Sequence, residues 1–134
     1  MRTILLLFLF TYQFSFTQNN RAVSYKGSSI SMEHLLQKYV QIPSISGHEK
    51  KAGEFIKSVA RENGLSISDF GTENGNYNFA ASLFPLDEKK PNIIFLNHID
   101  VVPDVRLDGT NPYSGEIKQD RVLGRGTIDN KGAA

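Results

Sequence analysis

The 134-residue sequence predicts an α/β layer fold, on three observations. Ala52, Phe55, Ile56, Val59 and Ala60 recur at helical spacing. Three short runs with strand character follow, each bounded by turn residues, and a second helix start closes the sequence. Helices and strands in that order need each other's apolar faces, and packing in layers is how such elements bury them. The composition is 40% hydrophobic and 22% charged, which suits a chain that buries a core and excludes a disordered one.

The elements follow in chain order. "MRTILLLFLFTYQFSFT", residues 1–17, pairs a basic start at Arg2 with an apolar run over 4–10, and Ser15 and Thr17 stand at the small-residue spacing of a cleavage site. A cleaved signal peptide ending near Thr17, and hence a secreted or periplasmic protein, is expected. An uncleaved anchor or a buried strand is the alternative. The apolar run is short of the roughly 20 residues that span a bilayer, so no membrane partner is expected after cleavage. Residues 18–30, "QNNRAVSYKGSSI", read as a loose polar leader. From there, residues 31–134 form the domain.

Ser31 is placed to cap a helix carrying Met32, Leu35, Leu36 and Tyr39 on one face, and Pro43 in "VQIPSIS" ends it. Ser46 and Glu49 have the spacing of a capping box for the next helix, which Gly64 stops. Strands are expected at 65–70, 78–84 and 93–97, with "GTENGN" and "PLDEKKP" as the turns between them. The run "IIFLN" is apolar at nearly every position, the pattern of a strand covered on both faces of a sheet.

Charge narrows the partners. Without residues 1–17, Lys+Arg falls from 15 to 14 against 14 Asp+Glu, so the remainder is neutral. A neutral chain with no basic cluster lacks the footprint of phosphate-backbone binding, so no nucleic-acid partner is expected. With no cysteine, there is no disulfide framework, and a metal would have to be held by His, Asp and Glu.

Two stretches carry chemistry. In "NHIDVVP", His98 lies at the carboxyl end of the third expected strand, where open α/β sheets place ligands. Side chains two apart on an extended segment share a face, so Asp100 can accept a hydrogen bond from the His98 nitrogen that holds no metal. A hydrogen-bonded histidine beside an ordinary turn aspartate fits these residues as well. In "RVLGRGTIDNKGAA", glycines at 124, 126 and 132 bracket Asp129. Asp129 could simply cap a helix from Asn130. A G-x-G-x-x-G phosphate loop fails at its third glycine, where Asp129 would set a carboxylate against the pyrophosphate.

Together "FLNHIDVVP" and "NPYSGEIKQDRVLGRGTIDNKG", with "YVQIPSISGHE" before them, resemble a family of zinc peptidases and amidohydrolases. It includes acetylornithine deacetylase, succinyl-diaminopimelate desuccinylase, aminoacylase and the carboxypeptidase G and S types. The resemblance runs from about Leu35 to the end, and "PYSGEI" and "GRGTID" lean toward the carboxypeptidase S-like branch. It implies a three-layer αβα catalytic domain with a mixed, largely parallel sheet. It implies metal ligation by His98 and Asp129, with Asp129 bridging two zinc ions (or cobalt in their place) and Asp100 as the catalytic residue that orients His98. It also implies a cis peptide bond between Asp129 and Asn130.

The activity implied is hydrolysis of an amide bond in a peptide or an N-acyl amino acid, by a water that the metal acidifies. Asn97, Asn130 and Ala133 depart from the family's glycine, methionine and second glycine at those positions. In the family the general-base glutamate, its neighbouring ligand glutamate, a further acidic ligand and a final histidine all lie downstream of this motif. So does the lid and dimerisation domain that would support a homodimer. The sequence is therefore expected to be the N-terminal part of a longer enzyme, the alternative being a truncated, non-catalytic product that binds metal weakly. His34 and His48, in expected helices, are read as solvated or capping residues.

Overall fold

The structure, a computed structural model, describes residues 22–71, 77–87, 89–105 and 109–134. The expected signal peptide and the start of the leader lie outside the described residues, as does most of "GTENGN". The described part of the leader is not loose. Strands β1 (Ala22–Tyr25) and β2 (Ser28–Ser31) pair as an antiparallel hairpin. Its two turn residues, Lys26 and Gly27, have φ of 52° and 72°, the left-handed pair that matches the twist of a tight hairpin. Both of their N–H groups donate to the carboxylate of Glu62 at 2.8 Å. The Asn63 amide exchanges two hydrogen bonds with the backbone of Ser24, at 3.1 and 3.0 Å. The hairpin is thus anchored to the end of the second helix, by partners some 36 residues away that local composition does not reveal.

Helix α1 (Met32–Val40) starts where the sequence predicts, with the Ser31 hydroxyl accepting from the His34 N–H. Helix α2 (Lys50–Glu62) begins without a side-chain cap. The Glu49 carboxylate does reach back, to the Gly47 N–H, but Ser46 turns away from the helix, so the expected capping box is not formed. His48 precedes α2 and is exposed. Gly64 closes α2 with φ +82°, and Leu65 N–H donates to Ala60 O at 2.9 Å.

The core lies where α1 and α2 meet and is small. Tyr39, Val40, Ala52, Val59, Ala60 and Val101 are its buried apolar residues, and Phe55 stacks on Tyr39 with ring centroids 5.6 Å apart. Lys57 is buried on the inward face of α2. Its ammonium reaches Asp69 at 2.6 Å and Glu54 at 3.3 Å and lies over the Tyr77 ring. Hydrogen bonding to Asp69 holds its pKa above the usual lysine value. That ion pair joins α2 to β3 (Ser66–Asp69), which pairs antiparallel with β4 (Phe79–Ser82), so the first two expected strands form, slightly shortened. A third hairpin, β5 (Glu116–Lys118) and β6 (Arg121–Leu123), lies against α1, where Gln37 and Gln41 donate to Gly115 O and Ser114 O.

The third expected strand does not form. Residues 93–97 make no ladder, and Ile93, Ile94, Phe95 and Leu96 are 88, 81, 93 and 94% exposed. An apolar run becomes a strand only when neighbours satisfy its backbone and cover its faces, and among the described residues none do. The largely parallel sheet is likewise not what the described residues build. Their strands pair in three antiparallel, two-stranded ladders, and the parallel pairing is the isolated bridge between Ile45 and Val101. The chain is a small mixed α/β unit. No described helix is long and apolar enough to cross a membrane.

Candidate metal centre

The segment between α1 and α2 builds one half of the site. Val101 N–H donates to Ser44 O at 2.8 Å, and the Ser44 hydroxyl donates to Ile99 O at 2.9 Å. Two residues further on, the Ser46 hydroxyl donates to an Asp100 carboxylate oxygen at 2.6 Å. Residues 44–46 therefore run beside 99–101 and fix the backbone on which His98 and Asp100 sit. The Ser46 hydrogen bond holds the Asp100 carboxyl below the usual aspartate range, with the neighbouring imidazole adding to the effect.

The turn over residues 124–133 builds the other half. Gly126 has φ +84°, and a Cβ there would meet the Val101 side chain at 2.6 Å. Only glycine allows both that conformation and that approach. Lys131 N–H then donates to Gly126 O at 2.8 Å and Gly132 N–H to Thr127 O at 3.1 Å. The closing helix predicted from Asn130 is a single 3₁₀ turn, Lys131–Ala133, so a capping role for Asp129 has little helix to serve. The Asp129–Asn130 peptide bond is cis, as the resemblance implies.

The structure brings His98, Asp100 and Asp129 together. His98 Nδ1 lies 3.1 Å from an Asp100 carboxylate oxygen and 3.0 Å from the Asp100 carbonyl oxygen, while His98 Nε2 lies 2.8 Å from an Asp129 carboxylate oxygen. The hydrogen bond to Asp129 raises the His98 pKa above its ordinary value, against the lowering effect of partial burial, and Asp100 adds to the rise. The atoms that face the ring nitrogens among the described residues are acceptors. A neutral imidazole carries one N–H, so with the proton on Nδ1 the Nε2 lone pair would confront a carboxylate. Such a pair is stable only around a positive charge, a second proton or a cation.

That arrangement tests the fit of a zinc ion. Imidazole nitrogen and carboxylate oxygen are zinc donors, and a carboxylate on the far ring nitrogen is the usual partner of a ligating histidine. The donor chemistry of His98 and Asp129 fits one side of such a site. Among the described residues no group of three or more His, Cys, Asp or Glu could hold a metal, because Asp100 is turned to Nδ1 and no third donor joins the pair. His34 contacts the Ser31 hydroxyl at its own helix cap. The Asn97 amide has no hydrogen-bond partner among the described residues.

Sequence reasoning missed Ser44 and Ser46. Their alternate spacing in "PSIS" was a signal for one face of an extended segment, but the Ser46–Glu49 spacing pointed to a helix cap instead.

No protein-family model and no solved structure matches the chain. Curated proteins do. A probable carboxypeptidase of Aspergillus terreus is 34% identical over 103 residues, covering 70% of this chain and 23% of its own length. A succinyl-diaminopimelate desuccinylase of Rickettsia bellii is 31% identical over 103 residues, covering 73% of this chain and 26% of its own. A probable carboxypeptidase of Arthroderma otae is 30% identical over 116 residues, covering 78% and 26%. The chain spans about a quarter of the length of the curated relatives it matches. It belongs to the peptidase family of these carboxypeptidases and succinyl-diaminopimelate desuccinylases.

Proposed function

We propose that this chain is part of a secreted or periplasmic zinc hydrolase that cleaves the amide bond of a peptide or an N-acyl amino acid. The observation that carries the reading is the His98 imidazole held between two carboxylates, Asp100 on Nδ1 and Asp129 on Nε2. The names of the relatives, carboxypeptidase and succinyl-diaminopimelate desuccinylase, support an amide hydrolase. In the whole protein a three-layer αβα domain would surround the site, and a further domain would pair two subunits.

His98 Nε2 and the Asp129 carboxylate would hold the metal. When bound, zinc supplies Lewis acidity for an amide carbonyl and for the attacking water. Asp100 keeps the His98 proton on Nδ1, leaving Nε2 available as a donor, and Ser46 keeps Asp100 aimed. Ile99, Asp100 and Val101 are tied to residues 44–46, so the imidazole is fixed before metal arrives. The remaining donors and a base for the water's proton come from outside the described residues.

A second reading, a non-catalytic product that binds metal weakly, draws on the lack of a third donor among the described residues. One experiment separates the two. The 134-residue chain and the product of the complete reading frame are each assayed on dipeptides and N-acyl amino acids, with zinc and with a chelator. Chelator-sensitive turnover by the full product, lost in Asp129→Ala and absent from the 134-residue chain, is expected. A frame that stops after Ala134, or turnover indifferent to chelator, would overturn the proposal.

A further inference from the structure

Asp129 stands on a turn with its side chain 87% exposed, so something else must fix where its carboxylate points. Two residues along, Lys131 does the opposite of what a lysine usually does: it enters the core and is only 2% exposed. Its ammonium donates to Tyr39 O at 3.0 Å and to Ile42 O at 2.6 Å, and lies 4.7 Å from the centre of the Tyr39 ring. Those carbonyls sit at and just past the end of α1, where the helix dipole is negative, and Tyr39 O also accepts from Ile42 N–H at 3.2 Å. A buried cation with several N–H donors complements that end of the helix and ties both carbonyls to one side chain.

The place it grips matters more than the strength of the grip. Ile42 is two residues before Ser44, and Ser44 and Ser46 are the residues that fix Ile99, Asp100 and Val101. One stretch, residues 39–46, therefore holds both halves of the site: His98 through its serines and Asp129 through Lys131. Gly126 completes the join, since a Cβ there would also meet the Lys131 stem at 3.3 Å.

We propose that Lys131 is a positioning residue of the metal centre, its ammonium locking the Asp129 turn to the end of α1 and so setting the 2.8 Å approach of Asp129 to His98. Its role toward metal rests on the function proposed above, whereas its effect on the His98–Asp129 contact does not. Both are read in one set of the 134-residue chain: wild type, Lys131→Met, Asp129→Ala and Lys57→Met. The last removes another buried lysine, one that joins α2 to β3 and touches neither half of the site.

The readouts are the ring ¹⁵N resonances of His98 without metal, zinc affinity by calorimetry, and thermal stability. Lys131→Met is expected to move the His98 Nε2 resonance toward its position in Asp129→Ala and to weaken zinc binding about tenfold, the lower end for a residue that orients a ligand. Lys57→Met is expected to lose stability with the His98 resonance unmoved. A wild-type His98 resonance in Lys131→Met overturns the proposal, and so does an equal shift in Lys57→Met. If Lys131→Met does not fold, Lys131→Gln takes its place with the same two outcomes. The resonance arm is read without metal, so it decides the role of Lys131 whether or not the 134-residue chain binds zinc.

Discussion

At the scale of single residues, Asp100 has two ways to hold His98, since both its carboxylate and its backbone carbonyl face Nδ1. Replacing the carboxylate leaves the carbonyl in place. Asp100→Asn is therefore expected to weaken zinc binding by about 10-fold, the low end of the roughly 10–100-fold range for such partners, when measured by calorimetry. No change would mean that the carbonyl alone orients the ring. His98, Asp100 and Asp129 were legible in the sequence because their motifs are local and ordered. Ser46 and Lys131 were not. A serine three residues before a glutamate reads as a helix cap, and only the fold brings its hydroxyl to Asp100, 54 residues away. A lysine reads as solvated until a helix end is placed over it.

Elements divide by how local their causes are. Helix α1 was readable because its cap, its apolar stripe and the proline after it all lie within about one turn of their effects. Ser31→Ala should therefore cost about 1 kcal/mol of stability, read as a shift in the urea midpoint with the slope unchanged. A loss near zero would mean that the β1–β2 hairpin alone holds the start of α1.

The burial that α1 provides also has a pH signature. Tyr39 is buried, and desolvation pushes its phenol up to about 12. A raised folded-state pKa gives stability that is full below the unfolded value near 10 and is lost as pH climbs from there toward 12. The chain should lose about 2 kcal/mol over that window, and Tyr39→Phe should lose less by that amount. Parallel curves for the two proteins would contradict the burial of the phenol. By contrast, the run at 93–97 was read as a strand from its apolarity alone, yet a strand depends on neighbours that sequence pattern does not name.

Taken whole, the molecule pairs a small core with a large apolar exposure. Ile93, Ile94, Phe95 and Leu96 face solvent together, and Leu83, Phe84, Val102 and Val105 are exposed as well. Contiguous exposed apolar surface with unpaired backbone favours association. Sedimentation of the 134-residue chain should show concentration-dependent association that Ile94→Lys with Leu96→Lys reduces. A wild-type chain that stays monomeric at high concentration would show that this surface is covered in solution.

We propose that the fold brings His98 and Asp129 to one metal-binding point. Zinc titration followed by NMR at the ring nitrogens of all three histidines and the carboxyl carbon of Asp129 tests it most directly. His98 Nε2 and the Asp129 carboxyl are expected to shift together with one saturation point while His34 and His48 stay unmoved. Saturation at His34 or His48, or a His98 shift that leaves Asp129 unchanged, would contradict it.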